Sequence, residues 1–166
     1  MAVSSVSADG YTFFDTIDPS PTKDMSRASG TVEMVNFYSV ASARTLVAFQ
    51  TYITRSSGIV GCVIFESDTQ YSSAYQRIAS FMSAGSNAGY VYCVLTTTLK
   101  AGYFYALGVF TEGNETYYYH STPAAFPIAT TFGALISAAS YNVTMESFPW
   151  SPSTTLYYAQ ILQTHL

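Results

Sequence analysis

The feature that most constrains this chain is a succession of short apolar segments with a two-residue period, each closed by turn-forming residues. Thr45–Thr54 shows it most cleanly. Val47, Phe49 and Ile53 fall on one side of an extended strand there, and Ala48, Gln50 and Tyr52 on the other. Ile59–Phe65 is almost wholly apolar, the pattern of a central strand packed on both faces, and it is bounded by Ser56-Ser57-Gly58 and Glu66-Ser67-Asp68. Further strands are predicted at Thr31–Val40, Tyr75–Met82, Tyr90–Thr97, Tyr103–Phe110, Thr116–Ser121, Tyr141–Phe148 and Thr154–Gln163. Gly and Asn mark the connections at Ser83–Gly89 and Glu112-Gly113-Asn114. Pro123–Ser140 reads two ways, as a short alanine-rich helix or as a long edge loop.

About eight or nine short strands with turn chemistry between them, and no alternation with long amphipathic helices, predict an all-β, antiparallel sandwich of jelly-roll type. Asp9-Gly10, Asp15, Asp18, Pro19, Pro21 and Asp24 give the first residues an irregular texture. The expected organisation is an extended N-terminal arm or irregular edge over residues 1–30 and a β-sandwich domain over 31–166.

Polarity in these strands is carried by hydroxyls rather than ions. Charged residues make up 10% of the chain, with 15 Tyr and 11 Phe, against roughly 25% charged in an average soluble domain. A surface so poor in charge has little to hold like copies apart and suits neutral ligands such as sugars. The net charge is −4, and the six bases are scattered singly. Nucleic acid needs several cations along one face, so it is not an expected partner. Residues 116–145 carry no charge, but Pro123, Pro127, Gly133 and many hydroxyls interrupt them, so no membrane-spanning helix is expected. No signal peptide is visible at the N-terminus. Cys62 and Cys93 each lie inside an apolar strand, which suits two buried thiols, with a cross-strand disulfide as the alternative.

Three stretches carry a resemblance: Val35-Asn36-Phe37-Tyr38-Ser39-Val40 with Thr45–Ile53; Val63-Ile64-Phe65-Glu66-Ser67; and Leu99-Lys100-Ala101-Gly102-Tyr103-Phe104-Tyr105-Ala106-Leu107-Gly108-Val109. Together, over about residues 31–162, they resemble the jelly-roll, galactose-binding-like modules of secreted bacterial surface proteins and of phage tail or appendage proteins. The resemblance implies a β-sandwich with an accessory, structural or carbohydrate-binding role and no catalytic residue. It also implies a structural calcium in many members.

Enzyme signatures are missing from the sequence: no G-x-S-x-G, H-E-x-x-H, P-loop, G-x-G-x-x-G or C-x-x-C occurs. Carboxylate pairs such as Glu66 with Asp68, or Glu112 with Glu115, sit at predicted strand ends, where acids are ordinarily just solvated. The chain is therefore read as a non-enzyme. Tyr117-Tyr118-Tyr119-His120, with Asn114 and Trp150, is the candidate ligand platform: aromatic rings cover the apolar face of a pyranose while amides bind its hydroxyls. Ordinary cross-strand aromatic packing accounts for the same residues. Asp15, Asp18 and Asp24 are the candidate metal ligands, an oxygen set suited to Ca²⁺ and equally to turn-forming acids; Glu33 stands close to them in sequence. No other cofactor is implied. The expected function is a structural subunit of an extracellular or virion surface assembly, a filament, sheath, tail or appendage. Its copies would self-associate as a homo-oligomer through tyrosine-rich faces and an exchanged strand, Val3–Val6 being β-capable. The alternative is a carbohydrate-binding module.

Overall fold

The computed structural model describes residues 3–7, 10–17, 24–55, 59–71, 75–84, 88–120, 126–141, 147–148 and 157–166. Side chains are described for 10–17, 33–53, 59–71, 75–81, 89–112, 126–140 and 157–166. The strands in chain order are β1 (Val3–Ser7), β2 (Gly10–Ile17), β3 (Asp24–Val40), β4 (Arg44–Arg55), β5 (Ile59–Ser67), β6 (Tyr75–Ala84) and β7 (Ala88–Cys93). They continue as β8 (Thr97–Leu99), β9 (Phe104–His120), β10 (Ile128–Ala129), β11 (Gly133–Tyr141), β12 (Ser147–Phe148), β13 (Tyr157–Tyr158) and β14 (Gln160–His165). All pairings are antiparallel. The chain is an all-β sandwich.

Two long strands organise it. β3 and β9, 17 residues each, pair from Asp24↔Tyr119 to Ser39↔Phe104. The first half of β9 also pairs with β5, and β5 with β6; β11 adds to the other side of β3. This makes a first sheet in the order β10-β11-β3-β9-β5-β6-β12. The far half of β9 pairs with the end of β4, from Ile53↔Tyr117 to Arg55↔Glu115. β4 then carries a second sheet, β1-β2-β14-β4, with β7 and β8 along its other side.

The predicted core strands occupy these central places. β5 is buried through Val60–Phe65 and is flanked by β6 and β9, which is why its sequence lacks alternation. Gly61 lies beside Phe110, whose ring fills the space where a side chain on residue 61 would stand. In β4 the alternation is broken once: the register shifts opposite Gln163 and Thr164, leaving Val47 half-buried while Leu46, Phe49 and Ile53 are fully buried.

Several boundaries differ from the sequence reading. Gly133–Tyr141 is neither helix nor loop but β11, hydrogen-bonded to β3, so pairing overrides the helix propensity of its alanines. Tyr141–Phe148, predicted as one strand, is described only at its ends, as the close of β11 and as β12. β1 pairs with β2, and β2 with β14, at the edge of the second sheet, and β3 runs uninterrupted from Asp24 to Val40. Among the described residues, β8 and β10 are short pieces that add to the long ladders.

Between the sheets the main core holds Met34, Tyr38, Phe49, Ile53, Ile64, Leu107, Val109, Phe132 and Leu162, all buried. Two features tie the layers across it. Cys62 of β5 and Cys93 of β7 form a disulfide with Cα atoms 5.8 Å apart, which corrects the reading as two buried thiols. Opposite residues of facing strands bring them within bonding reach, something no local pattern encodes.

The second tie is polar. Gln160 of β14 accepts from the Tyr38 hydroxyl (2.8 Å) and donates to the Leu107 carbonyl (2.9 Å) and to Thr51 Oγ1 (3.1 Å). Asn36 donates to the Tyr158 carbonyl (2.8 Å) and accepts from the Tyr158 N–H (2.9 Å), copying a strand partner with its amide. These side chains are at most 2% exposed, so each bond replaces water that cannot enter.

A second apolar cluster, Val35, Phe37, Val63, Phe65, Tyr75, Ala106, Phe110 and Ala139, buries the opposite face of the first sheet. Phe37 and Tyr75 meet edge-to-face there at 5.2 Å.

Removing both cysteines together (Cys62→Ala with Cys93→Ala) frees a loop spanning 31 positions. Urea unfolding is expected to report a loss of roughly 3–4 kcal/mol on chain-entropy grounds. Burial pushes the Tyr38 hydroxyl well above its usual ionisation range; the Asn36 hydrogen bond opposes the shift and the charge of Asp15 adds to it. An unfolded chain ionises its tyrosines near pH 10 and the folded chain holds Tyr38 neutral, so this stability is whole below that pH and falls above it. Denaturant titrations at rising alkaline pH should lose about 1.4 kcal/mol per pH unit above 10 from Tyr38 alone. Tyr75 and Tyr105, raised chiefly by burial as well, add to the loss in the same direction.

Candidate functional site

The two sheets treat their outward faces differently. The central strands of the first bury theirs: Val35, Phe37, Val63, Phe65, Ala106 and Phe110 are at most 4% exposed, while Ile78 on the outer strand β6 is 43% exposed. On the second sheet the alternation separates a more buried from a partly exposed side. Gln50 and Tyr52 of β4 alternate with buried Phe49, Thr51 and Ile53, and Tyr90 and Tyr92 of β7 with Val91 and Cys93. Ile161 and Gln163 of β14 alternate with Gln160, Leu162 and Thr164, and Phe14 and Thr16 of β2 with Asp15 and Ile17.

Cross-strand partners share a face. Tyr92↔Gln50, Tyr90↔Tyr52, Gln50↔Ile161, Ile161↔Thr16 and Gln163↔Phe14 therefore join these residues into one surface. The described side chains of this surface supply aromatic rings, two primary amides, hydroxyls and the His165 imidazole, with no Asp, Glu, Lys or Arg among them. Tyr52 and Tyr90 meet edge-to-face at 5.0 Å, and Tyr92 is 51% exposed. Neither any protein-family model nor any curated protein matches this chain. Function therefore rests on the chemistry of its surfaces.

Four of the residues singled out from sequence are described in their backbone alone. Asn114, Tyr117, Tyr119 and His120 belong to the far half of β9, where they pair with Ser29, Ser26, Asp24 and Tyr157 respectively. Their backbone is thus inside a ladder, and their side chains, like Trp150, lie outside the described residues. The outer face of the second sheet gathers a further tyrosine set, Tyr52, Tyr90 and Tyr92. The signal for it was present in the Gln50/Tyr52 alternation but needed the β4–β7 register to become a surface.

Among the candidate metal ligands, Asp15 is 5% exposed and both its oxygens are engaged: it accepts from the Thr131 N–H (2.8 Å) and from the Thr131 hydroxyl (2.6 Å). Asp15 thereby fastens β2 to the turn before β11. Arg44, stacked 5.0 Å from the Phe13 ring centroid, donates to the Thr131 carbonyl from the other side. Asp18 and the Asp24 carboxylate lie outside the described residues, and Glu33 is fully buried in β3. Among the described residues no three His, Cys, Asp or Glu side chains are grouped to hold a metal ion.

The described acid with the most developed surroundings is Glu66. It accepts from the Lys100 ammonium (2.7 Å) and from the Tyr105 hydroxyl (2.7 Å), and Tyr105 in turn accepts the Lys100 N–H (2.9 Å). The hydrogen bond to Glu66 holds Lys100 in its charged form beyond the usual range. Burial first, and Glu66 second, hold Tyr105 protonated. The group clasps the Leu99–Tyr103 turn, which Gly102 allows with φ 81° and secures through its N–H to the Val40 carbonyl. Asp68, its sequence neighbour in a candidate pair, is exposed.

Replacing Asp15 with Ala removes a charge-assisted acceptor for two donors of Thr131 and is expected to cost about 2–3 kcal/mol in urea unfolding. The same loss should appear with calcium in excess or with chelator, because Thr131 already occupies both oxygens.

Proposed function

We propose that the chain is a non-catalytic structural subunit of an assembly outside the cell or on a virion surface. Its copies associate through the outer face of the second sheet. One observation carries this reading: a broad sheet face, joined across β2, β14, β4 and β7, holds Phe14, Gln50, Tyr52, Tyr90, Tyr92, Ile161 and Gln163 and, among its described side chains, no Asp, Glu, Lys or Arg. In a chain of net charge −4 this is where another copy meets no like-charge repulsion. Tyrosine-rich, charge-depleted patches are also the composition of interface centres. The Cys62–Cys93 disulfide suits an oxidising compartment and so supports an extracellular or virion-surface setting.

The amides of Gln50 and Gln163 beside Tyr52, Tyr90 and Tyr92 favour a second reading, a carbohydrate-binding module for neutral glycans. The rings would cover sugar faces and the amides bind hydroxyls.

Sedimentation equilibrium of the intact, oxidised chain separates these readings. Mass rising with concentration is expected, and Gln163→Lys, which sets like charges against each other at the centre of the face, should weaken association at least tenfold without lowering the melting temperature. A native chain that stays monomeric at every concentration and binds neutral glycans on an array would transfer the face to the second reading.

A further inference from the structure

On the outer face of the second sheet, strand register sets two phenols against each other. Tyr52 of β4 is the cross-strand partner of Tyr90 of β7, and their rings meet edge-to-face with centroids 5.0 Å apart. Both residues are half-buried and stay within reach of solvent. Their backbones lie in an unshifted ladder from Phe49↔Cys93 to Thr54↔Ala88, so the sheet itself keeps the two rings neighbours. Other tyrosine rings are set against phenylalanine instead. Tyr38 stands against Phe132, Tyr75 against Phe37 and Tyr157 against Phe126, pairs in which one ring lacks a hydroxyl. Thiolates are the usual first target of oxidants. Both cysteines of this chain are already joined in the Cys62–Cys93 disulfide, which leaves no thiol to compete with the phenols.

We propose that Tyr52 and Tyr90 form a dityrosine site, at which a peroxidase-type oxidant joins β4 to β7 by a carbon–carbon bond. Each phenol gives up one electron and one proton and becomes a phenoxyl radical. The two radicals couple at ring carbons ortho to their oxygens. Each coupled carbon then releases its hydrogen as a proton and the oxygen on the same ring takes one up, which restores both aromatic rings and both phenols. Two electrons and two protons leave in all, and they convert one hydrogen peroxide into two waters. Partly exposed rings turn about their side-chain torsions far faster than a ladder opens, so the pair reaches the ortho–ortho approach without parting the strands. The bond fastens β7 to β4 at Tyr90 on the outer face, while Cys93 fastens the end of β7 to β5 across the core. It forms within one chain and does not depend on self-association.

The test exposes the intact, disulfide-bonded chain to a haem peroxidase and hydrogen peroxide over a dilution series. Blue dityrosine fluorescence and mass spectrometry of proteolytic peptides are read for the native chain, Tyr52→Phe and Tyr90→Phe, substitutions that keep the ring and remove the phenol. The site predicts a cross-linked peptide pair holding residues 52 and 90, two hydrogens lighter than its parts, at a yield independent of protein concentration. Fluorescence should fall at least tenfold in either variant. The peptide map of the native chain decides the matter even where a variant folds poorly. Cross-links that map instead to the exposed Tyr11, Tyr71 or Tyr92, or to Tyr117–Tyr119, overturn the assignment, as does a native chain that yields no dityrosine.

Discussion

Everything else in this molecule depends on a small set of hydrogen bonds made where water cannot reach. Gln160 reaches across from the second sheet to the Tyr38 hydroxyl and the Leu107 carbonyl of the first, and Asn36 reaches back to the Tyr158 backbone. A sandwich core of aliphatic and aromatic groups alone would tolerate sliding of one layer on the other, since burial is non-directional. Buried amides tolerate none: a displaced layer would strand several polar groups in a dry interior, each at a cost of about 1–3 kcal/mol. The network and the Cys62–Cys93 bond therefore fix the relative placement of the sheets from different positions.

That rigidity gives the outer surfaces their meaning. Because β5 is buried on both of its faces, it can be apolar without alternation. The second sheet alternates and keeps one face outward. On that face Tyr52, Tyr90, Tyr92, Gln50 and Gln163 are held by their own ladders rather than by loops. A preformed flat surface loses little freedom when something covers it, which favours association through it. The ionic groups are placed instead in local clasps, Asp15 on Thr131 and Glu66 on Lys100 and Tyr105.

Much of the layer architecture was legible in the sequence. The alternation of Thr45–Thr54 and the continuous apolar run of Ile59–Phe65 identified a one-sided and a two-sided strand, because burial acts on each residue through the strand's fixed period. What needed three dimensions was everything decided by a partner. Gly133–Tyr141 became a strand because β3 was there to pair with it, and its alanines gave no local sign. Cys62 and Cys93 met because β5 and β7 face each other across the core. Asp15 looked like a loose turn acid until Thr131, far along the chain, came within its reach. The tyrosine platform was sought in the run Tyr117–Tyr119, where aromatic residues are consecutive. Tyr52, Tyr90 and Tyr92, which the fold gathers on its outer face, are separated in sequence and joined by register.

The central claim is that this rigid, uncharged face meets other copies of the same chain. Small-angle X-ray scattering of the native oxidised protein over a concentration series tests it most directly. A single compact chain of 166 residues has a radius of gyration of about 15 Å. The account predicts values climbing above this as concentration rises, and a radius that stays at about 15 Å throughout would contradict it.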